Sequence, residues 1–236
     1  MLLNRGIASS RERAKALIME GSVLVNGAPV TKAGTMIDAA ADIELRGREI
    51  PYVSRGGLKL EAALTYFGID PSGLIAMDVG SSTGGFTDCL LKKGVRKVYC
   101  IDVGYGQMAW SLRNDPRVVL LERTNIRRLE KEKIHDIIDV ATIDVSFISL
   151  KMVIPTVKEF VKSGGTVLAL VKPQFEVGKG EVGKGGIVRD EDKRMEAVNS
   201  VRDFVEEAGM EALGVFLSPV PGQKGNREYF LHLRRP

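Results

Sequence analysis

Apolar runs alternate with polar segments along most of the chain. From residue 74 onward, apolar runs cover residues 74–79, 97–102, 118–121, 137–143 and 166–171, separated by helical or irregular stretches. A helical pattern over residues 191–208 then leads to two more apolar runs, at 213–217 and 229–233. Short apolar strands that alternate with helices are typical of a parallel sheet with crossover helices. The pattern therefore predicts an α/β domain with seven strands.

The first fifty residues follow a different pattern. A short basic helix is expected after Ser9 or Ser10, either of which is a suitable N-cap, and Gly21 is expected to end it. The stretch SVLVNG then alternates like a strand and closes on Asn26 and Gly27, a dipeptide that favours tight hairpin turns. We therefore predict a small α+β module, a linker and a larger α/β domain, at residues 1–47, 48–54 and 55–236.

Composition narrows the class of protein. Of 236 residues, 44% are hydrophobic and 27% charged, and no apolar run approaches the roughly 20 residues that a membrane helix needs. The start of the chain lacks the features of a secretory signal, so we expect a cytoplasmic protein. Cys89 and Cys100 lack the spacing of metal ligands, and no metal site is predicted. The net charge of +4 favours a polyanionic partner only weakly.

A glycine-rich turn follows the first strand of the larger domain. It runs from Gly80 to Gly85 and departs from the dinucleotide pattern, because Ser82 stands where a pyrophosphate requires glycine. Asp102 ends the next strand, 22 positions after Gly80, where a carboxylate can accept hydrogen bonds from the ribose of an adenosine. An adenosine cofactor without a pyrophosphate fits this pattern, and S-adenosylmethionine is such a molecule. The alternative is that the glycines only shape a tight turn.

A second glycine-rich stretch, GKGEVGKGG, partly matches a phosphate-binding loop. Gly178, Gly183 and Lys184 have the required spacing, but Gly185 stands where such a loop needs Ser or Thr for magnesium. We therefore reject a nucleoside triphosphatase. The stretch, with Lys179 and Lys184, is interpreted either as a mobile basic loop beside the site or as an ordinary surface loop.

Charged residues follow two further strands. Asp144 ends the fourth apolar strand and Lys172 the fifth, so both are expected at the same sheet edge as Asp78 and Asp102. A lysine that is partly desolvated next to a carboxylate is suited to handling a hydroxyl proton. Single charges of this kind are most often structural ion pairs, whereas two beside a cofactor turn favour a catalytic role.

Five motifs of the chain resemble the TlyA family, also called haemolysin A, over essentially its whole length. The motifs are SRGGLKL, DVGSSTGGFTDCLL, ATIDVSFISL, LVKPQFE and GNREYF. That family joins an S4 RNA-binding domain to an FtsJ-like methyltransferase domain. The resemblance implies a Rossmann-like fold with a mostly parallel seven-stranded sheet, preceded by a small α+β S4 domain. Since the chain starts MLLNRG, we expect this S4 domain to be short at its N-terminus.

The resemblance also implies an activity, ribose 2′-O-methylation of ribosomal RNA with S-adenosylmethionine as cofactor. The catalytic tetrad of FtsJ-like enzymes matches Lys59, Asp144, Lys172 and Glu228. The cofactor-binding residues that it implies are Asp78, Gly80, Ser81, Ser82, Thr83, Gly84, Gly85, Phe86 and Asp102. The basic residues assigned to RNA are Arg11, Arg13, Lys15, Arg55, Lys179 and Lys184.

A mechanism without a metal follows from this assignment. The target hydroxyl must lose its proton as its oxygen attacks the methyl group, and Lys172 is expected to take that proton. Asp144 and Lys59 are expected to adjust the proton affinity of Lys172, while Glu228 holds a lysine or the ribose in place.

Two alternative functions remain open at this point. A non-catalytic RNA-binding protein is disfavoured by the presence of all four tetrad positions. A membrane-active haemolysin is disfavoured because the sequence has no spanning segment and no strongly basic amphipathic helix with an aromatic face. The methylated nucleotide, the ribosomal subunit and the oligomeric state cannot be read from the sequence.

Overall fold

The computed structural model describes residues 1–8, 11–19, 21–45, 50–178, 180–183 and 185–236, without the side chains of Glu12, Arg13, Ala16 and Gln223. Ser9 and Ser10, the predicted N-cap residues, lie outside the described residues, as do Lys179 and Lys184.

The N-terminal module consists of one helix and three short strands. Helix α1 (Arg11–Met19) precedes β1 (Val23–Val25), β2 (Ala28–Pro29) and β3 (Ile43–Leu45), and both β2 and β3 pair antiparallel with β1. The predicted hairpin turn is present, since Asn26 and Gly27 have φ of 49° and 76°. Leu17, Val23 and Ile43 belong to the small apolar core that holds helix and sheet together.

The larger domain is built on a seven-stranded sheet in the order β6-β5-β4-β7-β8-β10-β9. All its pairings are parallel except those of β10, which runs antiparallel to both neighbours. The prediction of a mostly parallel seven-stranded α/β fold is confirmed. The strands are β4 (Ile75–Val79), β5 (Lys97–Ile101), β6 (Val118–Leu121), β7 (Ile138–Ile143), β8 (Val161–Val171), β9 (Glu211–Leu217) and β10 (Tyr229–Arg234).

Helices and short turns connect the strands. Because successive strand residues point to opposite faces, Met77 and Ala76 of β4 belong to two different apolar clusters, one on each face of the sheet. Both clusters are buried from solvent, and Met77 and Ala76 are each 0% exposed. The helices are α2 (Gly56–Phe67), α3 (Gly85–Lys92), α4 (Trp110–Arg113), α5 (Ile154–Phe160), α6 (Pro173–Glu176) and α7 (Glu191–Glu207).

The end of the predicted linker is packed rather than solvated. Tyr52 is buried at the start of α2, where a Cβ on Gly57 would come within 2.2 Å of its ring. The amide of Val53 donates to Asp88 of α3 over 2.8 Å. This packing fixes the chain just before Lys59, so the segment positions part of the site described next.

Candidate active site

Topology brings the four predicted tetrad residues to one edge of the sheet. Asp144 and Lys172 directly follow β7 and β8, whose carboxyl ends share that edge. Glu228 directly precedes β10, and its neighbour Tyr229 pairs with Val171 at the end of β8. Because β10 is antiparallel, its first residue reaches the edge at which β8 ends. Lys59 approaches this edge from the first turns of α2.

The four side chains form two ion pairs. Lys172 Nζ lies 2.6 Å from Asp144 Oδ1 and also donates to Ser146 Oγ over 3.0 Å. Lys59 Nζ lies 2.6 Å from Glu228 Oε2. All four residues line one cavity of about 280 Å³, here called the tetrad cavity. The sequence-based prediction that these residues meet therefore agrees with their positions in the structure.

A second cavity of about 460 Å³ adjoins the first and is here called the Asp102 cavity. Asp102, Gln107 and Asn125 line it on the side away from the tetrad. The two cavities share a wall that includes the start of the glycine turn and the residue at the end of β7. The shared residues are Gly80, Ser82, Asp144, Ser146 and Phe147.

Packing within the protein explains two glycines of the turn. Gly80 has φ of 84°, and a Cβ there would come within 2.4 Å of the carbonyl oxygen of Asp144. Gly84 has φ of 92°, and a Cβ there would come within 2.4 Å of Leu112. Glycine at these positions is therefore required by the close approach of neighbouring segments, whatever the turn binds. Of the two, Gly80 lines both cavities.

Most of the remaining residues of the turn line the tetrad cavity. Ser81, Thr83, Gly85 and Phe86 line the tetrad cavity. The hydroxyl oxygen of Ser81 is buried and has no hydrogen-bond partner within the described part of the chain. Buried polar atoms nearly always have a partner, so this hydroxyl is available to a bound ligand.

The Asp102 carboxylate binds the glycine turn and the loop that follows β5. One carboxylate oxygen accepts from the amide of Ser82 over 2.7 Å, and the other accepts from the amide of Gly104 over 2.6 Å. A carboxylate has about four acceptor positions, so each oxygen can still accept another hydrogen bond. The residue therefore fits the predicted role of ribose acceptor while it also fixes the turn.

Asp78, which was predicted as a cofactor contact, lies buried beneath the glycine turn. Its side chain is 0% exposed and lines neither cavity, and its two oxygens accept hydrogen bonds from Thr87 and Thr142 over 2.6 and 3.0 Å. Burial raises the pKa of this carboxyl to about 7, although the two hydroxyl donors oppose the shift. Since β4 is covered on both faces, Asp78 supports the turn from below instead of facing either cavity.

Sequence reasoning missed two aromatic residues. Phe147 is 89% exposed, has φ of 64° and lines both cavities. Its ring centroid lies 5.0 Å from that of Phe175, which also lines the tetrad cavity. A signal was present, because each phenylalanine follows a charged strand-end residue by three positions, in the motifs DVSF and KPQF.

The predicted RNA contacts are spread over the molecule. Arg55 lines the tetrad cavity just before α2. Arg11 and Lys15 are exposed one helical turn apart on α1. Arg13 belongs to the same helix, but its side chain, like all of Lys179 and Lys184, lies outside what the structure describes.

The described residues contain neither a candidate metal site nor a candidate membrane-spanning helix. No group of three or more His, Cys, Asp or Glu side chains among them could hold a metal ion. None of the helices in the described ranges is long and apolar enough to cross a membrane.

The chain is similar in sequence to proteins named as rRNA methyltransferases and hemolysins. The chain is 48% identical to the 16S/23S rRNA (cytidine-2′-O)-methyltransferase TlyA of Mycobacterium tuberculosis, over 99% of this chain and 87% of that protein. It is 42% identical to Hemolysin A of Brachyspira hyodysenteriae, over 97% of this chain and 95% of that protein. A solved structure described as a candidate hemolysin from Streptococcus thermophilus shares 40% identity, with a TM-score of 0.81 over 99% of this chain and 86% of that chain.

Two family models match separate parts of the chain. An S4 domain model matches residues 1–43, and the model of the FtsJ-like methyltransferases matches residues 52–235. The chain therefore belongs to the FtsJ-like methyltransferase family and carries an S4 domain at its N-terminus.

Proposed function

We propose that this protein is an S-adenosylmethionine-dependent methyltransferase that modifies ribose 2′-hydroxyl groups of ribosomal RNA. The observation that carries the proposal is the junction of the two cavities. A lysine–carboxylate pair suited to proton transfer lies where a cavity with a ribose acceptor meets a second cavity. The relatives named as rRNA 2′-O-methyltransferases support the same reaction.

The Asp102 cavity is the proposed site of the cofactor's adenosine. Asp102 would accept from the ribose hydroxyl groups, as strand-end carboxylates do in related α/β sites. Ser81, with its unpartnered hydroxyl, would bind the amino-acid end of the cofactor. The cofactor supplies the activated methyl group. The shared wall of Gly80, Ser82 and Asp144 would then lie nearest to that group.

The tetrad cavity is the proposed site of the target ribose. Lys172 would first release its own proton to solvent, and its neutral amine would then accept the proton of the 2′-hydroxyl as the hydroxyl oxygen attacks the methyl carbon, while Asp144 stabilises the ammonium group that forms again. Lys59, held by Glu228, donates to an oxygen of the ribose and fixes its orientation. Phe147 and Phe175 provide aromatic surfaces for the base.

The test is a methyl-transfer assay on ribosomal subunits. Subunits from bacteria that lack this enzyme are incubated with the purified protein and radiolabelled S-adenosylmethionine, and 2′-O-methyl groups are mapped on the extracted RNA. We expect incorporation at one or a few unpaired nucleotides. Lack of incorporation into either subunit by a folded, cofactor-binding protein would refute the proposal.

The S4 domain and the α1 cations are proposed to bind rRNA phosphates. Each phosphate contact contributes to the salt dependence of RNA binding. Replacing Arg11 and Lys15 together by Ala should therefore weaken binding to ribosomal subunits and reduce the salt slope by about two. The matched control is Lys97→Ala with Lys162→Ala, because these lysines are the first residue of β5 and the second residue of β8, at the opposite edge of the sheet. An equal loss of slope in the control would remove the special role of α1.

No feature of the described residues favours the alternative of a membrane-active haemolysin. One relative carries that name, and dye release from liposomes by the purified protein would be the observation that supports it.

A further inference from the structure

One side chain of the tetrad cavity has an unused acceptor that the proposed reaction does not need. Gln174 lies between Lys172 and Phe175, and all three line the cavity. Its oxygen Oε1 is buried and has no hydrogen-bond partner within the described residues. An amide oxygen buried without a donor costs free energy, which a ligand with an N–H group in the right place recovers.

The backbone around Gln174 is held firmly. It lies in α6, and Glu176 at the end of this helix accepts from the hydroxyl of Ser149 over 2.6 Å and from the amide of Leu150 over 2.8 Å. Burial raises the pKa of Glu176, while these two donors oppose the shift. Glu176 thereby ties α6 to the segment that follows Asp144. The position of Gln174 relative to the aromatic pair and the ion pair is thus set by direct contacts.

The ligand that meets Gln174 is the substrate rather than the cofactor's adenosine. Gln174 lines the tetrad cavity and is not part of the wall of the Asp102 cavity. Phe147 and Phe175 also line the tetrad cavity, with ring centroids 5.0 Å apart. Exposed aromatic rings bind unstacked RNA bases by their faces, which leaves the base edge free for a polar side chain.

We propose that Gln174 is a specificity-determining residue that accepts a hydrogen bond from the exocyclic amine of the target base, so that cytidine is methylated in preference to uridine. This inference rests on the proposed function. Cytosine carries an N4 amino group, a donor, where uracil carries the O4 acceptor. Opposite Gln174 Oε1, an amino group forms a hydrogen bond, whereas a carbonyl places two acceptors together and leaves both unpaired.

The experiment uses the full-length protein and a defined substrate. The modified nucleotide is first mapped with the wild-type enzyme, and ribosomal subunits are then prepared with cytidine or uridine at that position. The ratio of kcat/KM for the two substrates is measured for wild type, Gln174→Ala and Gln174→Glu. Calorimetric affinity for S-adenosylmethionine serves as the control for folding of each variant.

The three enzymes should differ in this ratio. We expect wild type to favour cytidine by about 5- to 100-fold, the range of one well-placed base contact. Gln174→Ala should bring the ratio near one, because it removes both the hydrogen bond to cytidine and the acceptor–acceptor contact with uridine. Gln174→Glu should keep a preference for cytidine, because a carboxylate still accepts from the amine.

Several results would overturn the inference while leaving the proposed function intact. They are a mapped target that is not cytidine, a wild-type ratio near one, or a Gln174→Ala variant that loses the same factor on both substrates. Failure of the wild-type enzyme to methylate either substrate would instead refute the proposed function itself.

Discussion

The two lysine–carboxylate pairs of the tetrad cavity have the same geometry and different surroundings. In each, the lysine nitrogen lies 2.6 Å from a carboxylate oxygen, and the lysine side chain is 11% exposed. The carboxylates differ, because the Asp144 side chain is 23% exposed and that of Glu228 only 3%. The difference separates a pair whose carboxylate can meet a reactant from a pair whose carboxylate is enclosed by protein.

Their neighbours extend this contrast. Asp144 lines both cavities, and its partner Lys172 also contacts Ser146 of the shared wall. Glu228 touches only the tetrad cavity and packs so closely on Gly222 that a Cβ there would come within 1.9 Å of its carboxylate. Proton transfer requires contact with the reacting hydroxyl, whereas orientation requires rigidity. We therefore assign chemistry to the Asp144–Lys172 pair and positioning to the Lys59–Glu228 pair.

The largest expected effect is on the Asp144–Lys172 pair. Lys172→Ala should reduce single-turnover methyl transfer by roughly 10²–10⁴-fold, the usual contribution of a general acid–base group. Calorimetric affinity for S-adenosylmethionine should barely change, because Lys172 is assigned to the target ribose and does not line the Asp102 cavity proposed for the adenosine.

Lys172→Arg separates proton transfer from charge. Arginine keeps the positive charge but does not give up its proton near neutral pH, so it should restore RNA affinity without restoring the rate. A near wild-type rate in this variant, measured at saturating RNA, would show that positive charge alone suffices. Lys172 would then orient the substrate, and the contrast between the two pairs would disappear.

The Lys59–Glu228 pair should have its largest effect on stability. Glu228→Ala leaves the ammonium of Lys59 buried without its partner, and breaking a buried ion pair in this way costs about 3–5 kcal/mol. Chemical denaturation should therefore show a lower free energy of unfolding than in wild type. The rate should also fall, because Lys59 loses its fixed position.

A double variant tests whether the pair serves stability or positioning. Lys59→Met with Glu228→Leu removes both charges and should recover most of the lost stability, as apolar replacements of buried ion pairs often do. We expect this folded variant to bind S-adenosylmethionine and to remain poor in methyl transfer. Recovery of wild-type activity would show that the pair is only structural.

The contrast between the two pairs also shows which parts of the site could be predicted from the sequence alone. The strand ends carrying Asp144 and Lys172 were predictable, because parallel strands place their carboxyl ends at one edge. Lys59 and Glu228 each have the pattern of a solvent-exposed charge, and 169 positions separate them in the chain. Hydrophobic periodicity carries no information on such a contact, so only resemblance to the family could connect them.

Local backbone geometry and packing were the second aspect of the site that the sequence alone did not predict. Motif reading assigned Gly80 and Gly84 to cofactor binding, although contacts with Asp144 and Leu112 already require glycine there. It also assigned Asp78 to the cofactor, whereas burial beneath the turn removes this carboxylate from both cavities. Phe147 is a non-glycine residue in the left-handed region, a conformation that depends on tertiary context.

Asp102 provides a carboxylate outside both pairs and should affect the cofactor rather than the chemical step. Asp102→Ala should weaken S-adenosylmethionine binding by about 1.5–3 kcal/mol, the usual range for a hydrogen bond to a charged group. Part of this loss reflects the freed amides of Ser82 and Gly104. Methyl transfer at saturating cofactor should fall much less. Unchanged calorimetric affinity in a folded variant would contradict the ribose-acceptor role.

The smallest expected effect concerns Gly222, which acts on only one of the pairs. An added Cβ would overlap the Glu228 carboxylate, so Gly222→Ala should displace Glu228 and loosen its contact with Lys59. Overpacking of this kind costs about 1–3 kcal/mol, and we expect the methyl-transfer rate to fall about tenfold.

A double-mutant cycle shows whether this effect acts through Glu228. If it does, Gly222→Ala should cost little more in rate once Glu228→Gln has already weakened the ion pair, because the contact through which Gly222 would act on Lys59 is then already weakened. Combined with Lys172→Ala instead, the same change should multiply the two losses, since it disturbs positioning and not proton transfer. Additive free energies with Glu228→Gln would mean that Gly222 influences the rate by another route, and the closed character of the Lys59–Glu228 pair would have to be explained without it.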